Sequence, residues 1–194
     1  MSFVVFEGPD GSGQTTQAKL LADYLQNKGI SVFQTKEPTN DTIIGKMIRE
    51  VLQNKIKVHE DTLQLLFVAD RAEHLHSQIE KRLDAKEWVV CDRYIMSTLA
   101  FGSASGVSPD WLKKLNEKFI WPKYTFLLDV PADVCIERIA KTRGTFEYFE
   151  KKEKLEKILK KYKEIAADRG DVFVLDGTKK IEEIHENIKK ILKI

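Results

Sequence analysis

Near its start the chain reads Phe3-Val4-Val5-Phe6-Glu7-Gly8-Pro9-Asp10-Gly11-Ser12-Gly13-Gln14-Thr15-Thr16. The apolar run that opens this stretch is typical of a buried strand, and the residues from Thr15 to Lys28 keep helical spacing until Gly29. A phosphate-binding loop has a glycine, four residues of any kind, a second glycine, a lysine and then a serine or threonine. Gly8, Gly13 and Thr15 occupy the glycine and hydroxyl positions. The stretch therefore predicts a strand, a phosphate-binding loop and a helix.

The glycines suit this loop to bind the phosphate groups of a nucleotide. They let backbone N–H groups turn toward phosphate oxygens at the positive end of the following helix. The Thr15 hydroxyl stands where such loops contact a Mg²⁺ ion that bridges the phosphates. An ordinary glycine-rich turn is the alternative, but the flanking strand and helix favour a phosphate site. We expect the ATP-binding residues of the loop to be Gly8, Asp10, Gly11, Ser12, Gly13, Gln14, Thr15 and Thr16.

Gln14 stands where the phosphate-loop pattern has a lysine. A glutamine offers two neutral N–H donors in place of a positive charge. Losing one electrostatic contact to a transition state can lower a rate about 10²- to 10³-fold. Three explanations stay open: a natural variant with a compensating cation elsewhere, an engineered loss of activity, or a protein that binds nucleotides without turning them over.

Further apolar runs alternate with helical patterns along the chain. The later predicted strands are 31–35, 88–92, 124–129 and 172–176, and the later predicted helices are 42–53, 60–85, 152–169 and 181–194. Runs without polar alternation are typical of strands buried on both faces of a parallel sheet, with right-handed βαβ connections. The sequence predicts one domain over 1–194, an α/β, P-loop NTPase-like three-layer fold with five parallel strands and helices on both faces. The lysine-rich run Lys152–Lys163 predicts a solvated helix face.

Composition limits the classes of function. Of 194 residues, 42% are hydrophobic, and 32 basic against 30 acidic side chains leave a net charge of +2. A protein that binds nucleic acid through bulk charge would be more basic, so we expect no nucleic-acid partner. We expect no membrane partner either, because no apolar stretch approaches the ~20 residues that span a bilayer. Cys91 and Cys135 stand among apolar neighbours and are expected to be small buried side chains. These features favour a reducing, cytoplasmic location.

Four further clusters follow the loop: Lys36-Glu37-Pro38-Thr39, Phe67-Val68-Ala69-Asp70-Arg71-Ala72-Glu73-His74 inside a long helix, Asp92-Arg93-Tyr94 leading into Ser97–Gly102, and Arg138–Gly144. In this order, and together with the first loop, they resemble the thymidylate kinase family, P-loop transferases that phosphorylate dTMP to dTDP with ATP in dTTP biosynthesis. The resemblance runs from Phe3 to Asp176. Two positions depart from the family pattern: Gln14 replaces the loop lysine, and Lys36 replaces the arginine of Arg-Glu-Pro.

The resemblance implies an acceptor site for dTMP. Phe67 would stack on the thymine face, and Arg71, one helical turn further, would donate to a base carbonyl. On the residues alone, a core phenylalanine and a surface ion pair of Arg71 with Asp70 or Glu73 are the plainer interpretations. Arg93 would hold the dTMP phosphate with its planar fork. The implied dTMP-binding residues are Asp10, Lys36, Phe67, Arg71, Arg93, Ser97, Thr98 and Phe101, with Asp10 on the sugar 3′-hydroxyl and Phe101 near the sugar 2′ position.

The resemblance also implies the catalytic residues, which are Asp92, Arg93, Arg143 and Gln14. Arg143 would lie in a lid over about 141–150 and neutralise charge on the transferring phosphoryl group. Arg138, which the sequence places before a helix, would lie against the ATP base. Mg²⁺ would be held by Thr15 and Asp92, partly through water. A homodimer through helices such as 60–85 is implied as well.

Two alternatives remain open at this point. The chain could be another nucleoside or nucleoside monophosphate kinase, or a catalytically impaired regulatory module that binds nucleotides. A module without catalysis would have little reason to keep Phe67, Arg71, Asp92, Arg93 and Arg143 together. The sequence therefore favours a kinase.

Overall fold

The computed structural model describes residues 2–142, 148–149 and 151–194 of the chain. In these residues, five strands form one sheet in which every neighbouring pair is parallel. The order across the sheet is β2-β3-β1-β4-β5, with β1 at Phe3–Glu7, β2 at Val32–Lys36, β3 at Trp88–Asp92, β4 at Tyr124–Asp129 and β5 at Val172–Asp176. The predicted fold class is confirmed. The predicted strand bounds match except at β2, which lies one residue later.

Helices pack on this sheet and on each other. Their bounds are α1 Gln14–Asn27, α2 Ile43–Leu52, α3 Glu60–His74, α4 Glu80–Asp84, α5 Ile95–Ala104, α6 Pro109–Asn116, α7 Ala132–Thr142, α8 Lys152–Ala167 and α9 Ile181–Leu192. A π-helical turn at Leu75–Ile79 joins α3 to α4, so the helix predicted over 60–85 is continuous but wider at that turn. Within the described ranges, these helices lack the length and apolar character that a membrane crossing requires.

Side chains of β1 alternate between two cores. Val4 and Phe6 pack against α1 and α9, where Leu21 and Ile188 are buried with them. Phe3 and Val5 face the other core, which contains Leu75 and neighbours from α5 and α6. All of β1 is buried. This burial on both faces explains why the strand reads as an uninterrupted apolar run.

Two helices hold more than the sequence predicts. The run Lys152–Lys163 forms the predicted helix with most of its lysines exposed, but the opposite face of α8 buries Leu155, Ile158 and Tyr162 against the core. Their spacing of three and four residues is the periodicity of an amphipathic helix. Arg138 precedes α8, as predicted, but it lies inside α7, a helix that the sequence pattern did not predict.

The carboxyl ends of β1, β3 and β2 meet at one edge of the sheet. Phe6 pairs with Asp92, and Lys36 pairs with Asp92 from the other side. The glycine-rich loop begins at this same edge, directly after Glu7. Ligands in parallel α/β sheets bind beyond the carboxyl ends of the strands. The fold therefore gathers the predicted site residues at the edge where a ligand site is expected.

Candidate active site

The loop after β1 turns on glycines that lie in the left-handed region. Gly11 has a φ of 82° and Gly13 has a φ of 97°, and Gly13 caps the start of α1. A Cβ atom at Gly11 would lie 2.6 Å from the carbonyl oxygen of Cys135. Gly8 has a φ of 155°, and a Cβ atom there would lie 2.4 Å from Ser12 Oγ and 3.1 Å from the Leu128 carbonyl oxygen. The loop can therefore keep its backbone close to a bound phosphate only with glycine at these positions.

Gln14 is fixed by a neighbour in the same loop. Its side-chain oxygen accepts a hydrogen bond from Ser12 Oγ at 2.5 Å, and the residue is buried. This contact uses the acceptor end of the amide. The N–H₂ end takes no part in this contact, and Gln14 lines the groove above the loop together with Thr15 and Thr16. Gln14 can thus donate to a phosphate oxygen, but it brings no positive charge.

Arg138 crosses from α7 to the loop and anchors it. Its guanidinium donates to the carbonyl oxygens of Gly11, Ser12 and Gly177 at 3.5, 3.3 and 3.0 Å. Arg138 also borders the groove above the loop. The groove thus brings together Arg138 and the predicted ATP-binding residues from Asp10 to Thr16, while Gly8 lies beneath it, with its carbonyl turned to Arg93.

Asp92 and Thr15 form a pair of oxygen ligands at the sheet edge. Thr15 Oγ1 donates to Asp92 Oδ2 at 2.5 Å, and Asp92 Oδ1 is buried with no hydrogen-bond partner in the described part of the chain. Burial raises the pKa of Asp92, and Arg93, Thr15 and Lys36 oppose this effect. Mg²⁺ prefers oxygen ligands of these two kinds. The unpartnered carboxylate oxygen therefore fits a cation at this position.

A second cavity lies beside the loop, on the side of α3 and α5. Phe67 is half-buried and supplies an aromatic wall, while Phe101 and Phe149 pack edge to face at 4.9 Å on the same cavity. The predicted acceptor residues that line it are Asp10, Phe67, Arg71, Arg93, Ser97, Thr98 and Phe101. Asp10 also lines the groove above the loop, so the two sites share this residue.

Arg93 lies where the two sites meet. Its backbone has a φ of 72°, and its guanidinium donates to the Gly8 carbonyl at 2.8 Å and to Asp10 Oδ1 at 2.6 Å. The guanidinium also lies 5.1 Å from the centre of the Phe101 ring. Burial acts to lower the pKa of Arg93, but Asp10 and other acidic neighbours raise it overall. Arg93 is thus a fixed cation that faces the acceptor cavity.

Arg71 is not at the surface, so a surface ion pair with Asp70 or Glu73 is the wrong interpretation. It is 1% exposed, and its Nε donates to Glu37 Oε2 at 3.0 Å. Its other nitrogens donate to Asn116, the Tyr94 carbonyl and Thr98. These four contacts engage most of the five N–H donors of a guanidinium. Arg71 therefore borders the acceptor cavity as a rigid part of its wall.

Lys36 does not line the acceptor cavity. It is exposed and lines a different groove, together with Thr15 and Asp92. Arg143 and most of the predicted lid fall outside the described residues.

Comparison with known proteins agrees with this geometry. The family model for thymidylate kinase matches residues 6–188. A probable thymidylate kinase of Methanocaldococcus jannaschii is 44% identical over 192 residues, covering 98% of this chain and 95% of that protein. A probable thymidylate kinase of Pyrococcus abyssi is 41% identical, with the same two coverages. The thymidylate kinase of Plasmodium falciparum is 38% identical, covering 99% of this chain and 90% of that protein.

The chain belongs to the thymidylate kinase family. Its sequence carries the family's ordered motifs, and the structure places most of them around two adjoining sites. Gln14 still departs from the family's phosphate-loop pattern: the loop has the glycines and the hydroxyl of Thr15 but not the lysine.

In this member of the thymidylate kinase family, several residues beside the two sites were not predicted from the sequence. Glu7 accepts from Ser97 Oγ at 2.6 Å, from the Tyr94 N–H at 2.9 Å and from Tyr162 Oη at 3.0 Å. Burial raises the pKa of Glu7, and the contacts with Ser97, Arg93 and Tyr162 oppose this. The apolar spacing of α8 would have shown that Tyr162 faces inward.

Glu37 and His74 also lie in quoted motifs without an assigned role. Glu37 Oε1 lies 3.1 Å from His74 Nδ1, while the other oxygen holds Arg71. Thr35 Oγ1 completes the chain at 2.7 Å from His74 Nε2. His74 follows Asp70 and Arg71 by about one helical turn, and this spacing could have predicted that the three side chains lie on the same face of α3.

Proposed function

We propose that the chain transfers the γ-phosphoryl group of ATP to the phosphate of dTMP, which gives dTDP and ADP. The observation that carries this proposal is the position of Asp10, which lines both the groove over the phosphate loop and the cavity with Phe67 and Arg93. One loop therefore borders a site for a phosphate donor and a site for a base that carries a phosphate. The names of the related proteins support the same reaction.

The transfer exchanges one P–O bond for another. The bond from the γ-phosphorus to its bridging oxygen breaks, and ADP keeps that oxygen and its electron pair. A phosphate oxygen of dTMP forms the new bond. Such transfers depend on positioning and on positive charge near the phosphoryl oxygens. In this chain, the loop N–H groups and Gln14 orient the donor, and Arg93 orients the acceptor phosphate.

We infer that Thr15 and Asp92 hold the Mg²⁺ that accompanies ATP. When bound, the ion neutralises charge on the phosphate oxygens. The unpartnered Asp92 Oδ1 supports this assignment. Arg138 borders the ATP site and, through its contacts with loop carbonyls, keeps the loop in shape. The role of Arg143 in a lid stays a prediction.

The acceptor cavity suits a thymine nucleotide. Phe67 offers a flat ring for stacking on the base, and stacking of this kind contributes about 1–3 kcal/mol. Ser97 and Thr98 line the same cavity with hydroxyl groups. Phe101 packs against Phe149 and Arg93 on the cavity wall, where its ring would limit the space for the sugar. We propose that Arg71 donates to the base edge through an N–H group that its protein partners do not use.

A coupled assay of ADP release with dTMP, dUMP, dCMP and dGMP tests the proposed function. We expect ADP to form fastest with dTMP. A low rank of dTMP in this panel would favour another nucleoside monophosphate kinase. Binding of ATP without ADP release for any acceptor would favour the regulatory module, which the two adjoining sites and the comparisons do not favour.

We also propose a homodimer in which α3 contributes to the interface. Leu65 is 46% exposed and Ala69, one turn further, is exposed as well. Ile43 and Met47 of α2, which packs against α3, are 86% and 42% exposed. Exposed apolar side chains in this arrangement are typical of interaction surfaces. Sedimentation is expected to show a dimer that Leu65→Asp weakens.

We propose a reducing, cytoplasmic location, which the two free, buried cysteines, Cys91 and Cys135, support.

A further inference from the structure

The phosphate loop of this chain lacks its own cation, which raises the question of what neutralises the donor phosphates. Gln14 has its acceptor end on Ser12 and offers only neutral N–H groups to the groove. Hydrogen bonds from charged groups are roughly twice as strong as neutral ones. A cation from another element would therefore restore what the loop has lost.

Three of the nearby arginines are held by the protein. Arg93 donates to Asp10 and to the Gly8 carbonyl. Arg138 donates to carbonyl oxygens of the loop and of Gly177. Arg71 is buried and pairs with Glu37. None of the three is a free cation on the side of Thr15 and Asp92.

Lys36 is different in each of these respects. It is exposed, and within the described ranges its ammonium forms no ion pair. It ends β2 in register with Asp92 on β3, so the two backbones are about 4.8 Å apart and the side chains point to the same face. Lys36, Thr15 and Asp92 line one groove. The long, flexible side chain of Lys36 thus borders the same groove as the pair of oxygen ligands proposed for Mg²⁺.

We propose that Lys36 supplies to the donor phosphates the positive charge that the loop lacks at Gln14. This inference rests on the proposed function, and it assigns Lys36 to the donor side rather than to the dTMP phosphate. A lysine at the end of β2 suits this role, because it acts as a point charge on a flexible stem and needs no bidentate geometry.

A double-mutant cycle tests the inference. Lys36→Met is made in the wild-type background and in the Gln14→Lys background, and kcat is measured with saturating ATP and dTMP. We expect Lys36→Met to lower kcat about 10²-fold in the wild type, the effect of losing one electrostatic contact. In the Gln14→Lys background we expect a loss below about tenfold, because the restored loop lysine takes over.

ATP affinity without dTMP gives a second readout that does not depend on turnover. Lys36→Met is expected to weaken ATP binding in the wild type and to have a smaller effect in the Gln14→Lys protein. This measurement remains informative if dTMP proves not to be the acceptor, so a failure of the proposed function and a failure of this inference are distinguishable.

Controls separate Lys36 from other lysines. Lys190 is exposed on α9 and lines none of the grooves described above, so Lys190→Met is expected to leave kcat unchanged. Lys179 borders the groove above the loop and is tested in the same two backgrounds. An equal effect of Lys36→Met in both backgrounds, with a raised KM for dTMP, would overturn the inference. Background dependence at Lys179 instead of Lys36 would overturn it as well.

Discussion

Phe67 and Arg71 stand one turn apart on α3 but differ in how they meet the acceptor cavity. Phe67 is half-buried with its ring on the cavity wall, whereas Arg71 is buried among four hydrogen-bond partners. A bound ligand can cover the exposed part of the Phe67 ring. The Arg71 side chain cannot move far toward a ligand, because its protein partners hold it in place. We therefore expect the loss of the Phe67 ring to weaken the binding of dTMP.

Replacing Phe67 with alanine is expected to raise the KM for dTMP about 5- to 150-fold, which corresponds to about 1–3 kcal/mol of lost stacking. The KM for ATP should change little, because Phe67 does not border the groove over the loop. Phe67→Tyr keeps the ring and serves as the matched control. Steady-state kinetics with each substrate varied in turn checks this. An unchanged KM for dTMP in Phe67→Ala would show that the base does not stack there.

At the residue scale, the sequence predicts the loop well, because glycine spacing and a following hydroxyl encode local geometry. The surroundings of Arg71 and Glu7 depend on contacts between distant segments, such as Glu7 with Tyr162, and no local pattern contains them. The position of Lys36 could not be predicted for the same reason. The resemblance of its motif to the family predicts a contact with dTMP, but the pairing of β2 with β3 puts Lys36 beside Asp92, in a different groove.

The loop between β2 and α2 is anchored to α3 by one buried carboxylate. Asp70 accepts from the Thr39 N–H at 2.8 Å, from Thr39 Oγ1 at 2.6 Å and from Thr42 Oγ1 at 3.0 Å. Thr42 also caps α2 by accepting from the Gly45 N–H. The loop carries Glu37 and Pro38, which line the acceptor cavity. The fit of α2 against this loop therefore shapes the acceptor cavity.

Gly45→Ala is expected to disturb this element. An added Cβ atom would lie 2.0 Å from the Thr39 carbonyl oxygen, so the loop or α2 must shift. Overpacking of this kind costs about 1–3 kcal/mol in the free energy of unfolding, and the KM for dTMP should rise with it. Gly170→Ala is the matched control, since an added Cβ atom there meets nothing within 4 Å. Urea unfolding of the two variants checks the difference; equal stability would contradict the tight contact.

At the element scale, strands were easier to predict than helices. The apolar runs of the three central strands stand out because both faces of these strands are buried. α5 is buried on almost every side, so its sequence shows no polar face and no helical period. α8 has that period at Leu155, Ile158 and Tyr162, but its many lysines conceal it.

Glu7 joins three parts of the molecule at the sheet edge. It ends β1 and accepts hydrogen bonds from Ser97 of α5 and from Tyr162 of α8, close to Arg93. Burial raises its pKa above the ordinary value of 4.5. The folded protein therefore holds a proton on Glu7 more tightly than the unfolded chain does.

This shift predicts how stability depends on pH. Because the folded state binds more protons, the contribution of Glu7 to the free energy of unfolding decreases as pH rises above about 4.5 toward the raised pKa. Glu7→Gln cannot titrate. We expect the wild type to lose stability relative to Glu7→Gln over that range, measured by urea unfolding. Glu73→Gln, which makes the same substitution at an exposed position of α3, is the control. A gap that widens in favour of the wild type as pH rises would contradict the sign.

The whole molecule is nearly neutral, with a net charge of +2, although its proposed substrates are both anions. The structure accounts for this by placement: Arg93 and Lys36 lie at the sheet edge beside Asp92, and the loop offers its N–H groups. That 1–194 form one domain stays a prediction from length and pattern.

The transfer itself is tested most directly by following the phosphorus. ATP labelled at its γ-phosphorus is incubated with the wild-type chain, Mg²⁺ and dTMP, and the products are separated. The account predicts that the label appears in dTDP in proportion to the ADP formed. Label released as inorganic phosphate, or ATP left intact while dTMP is bound, would contradict it.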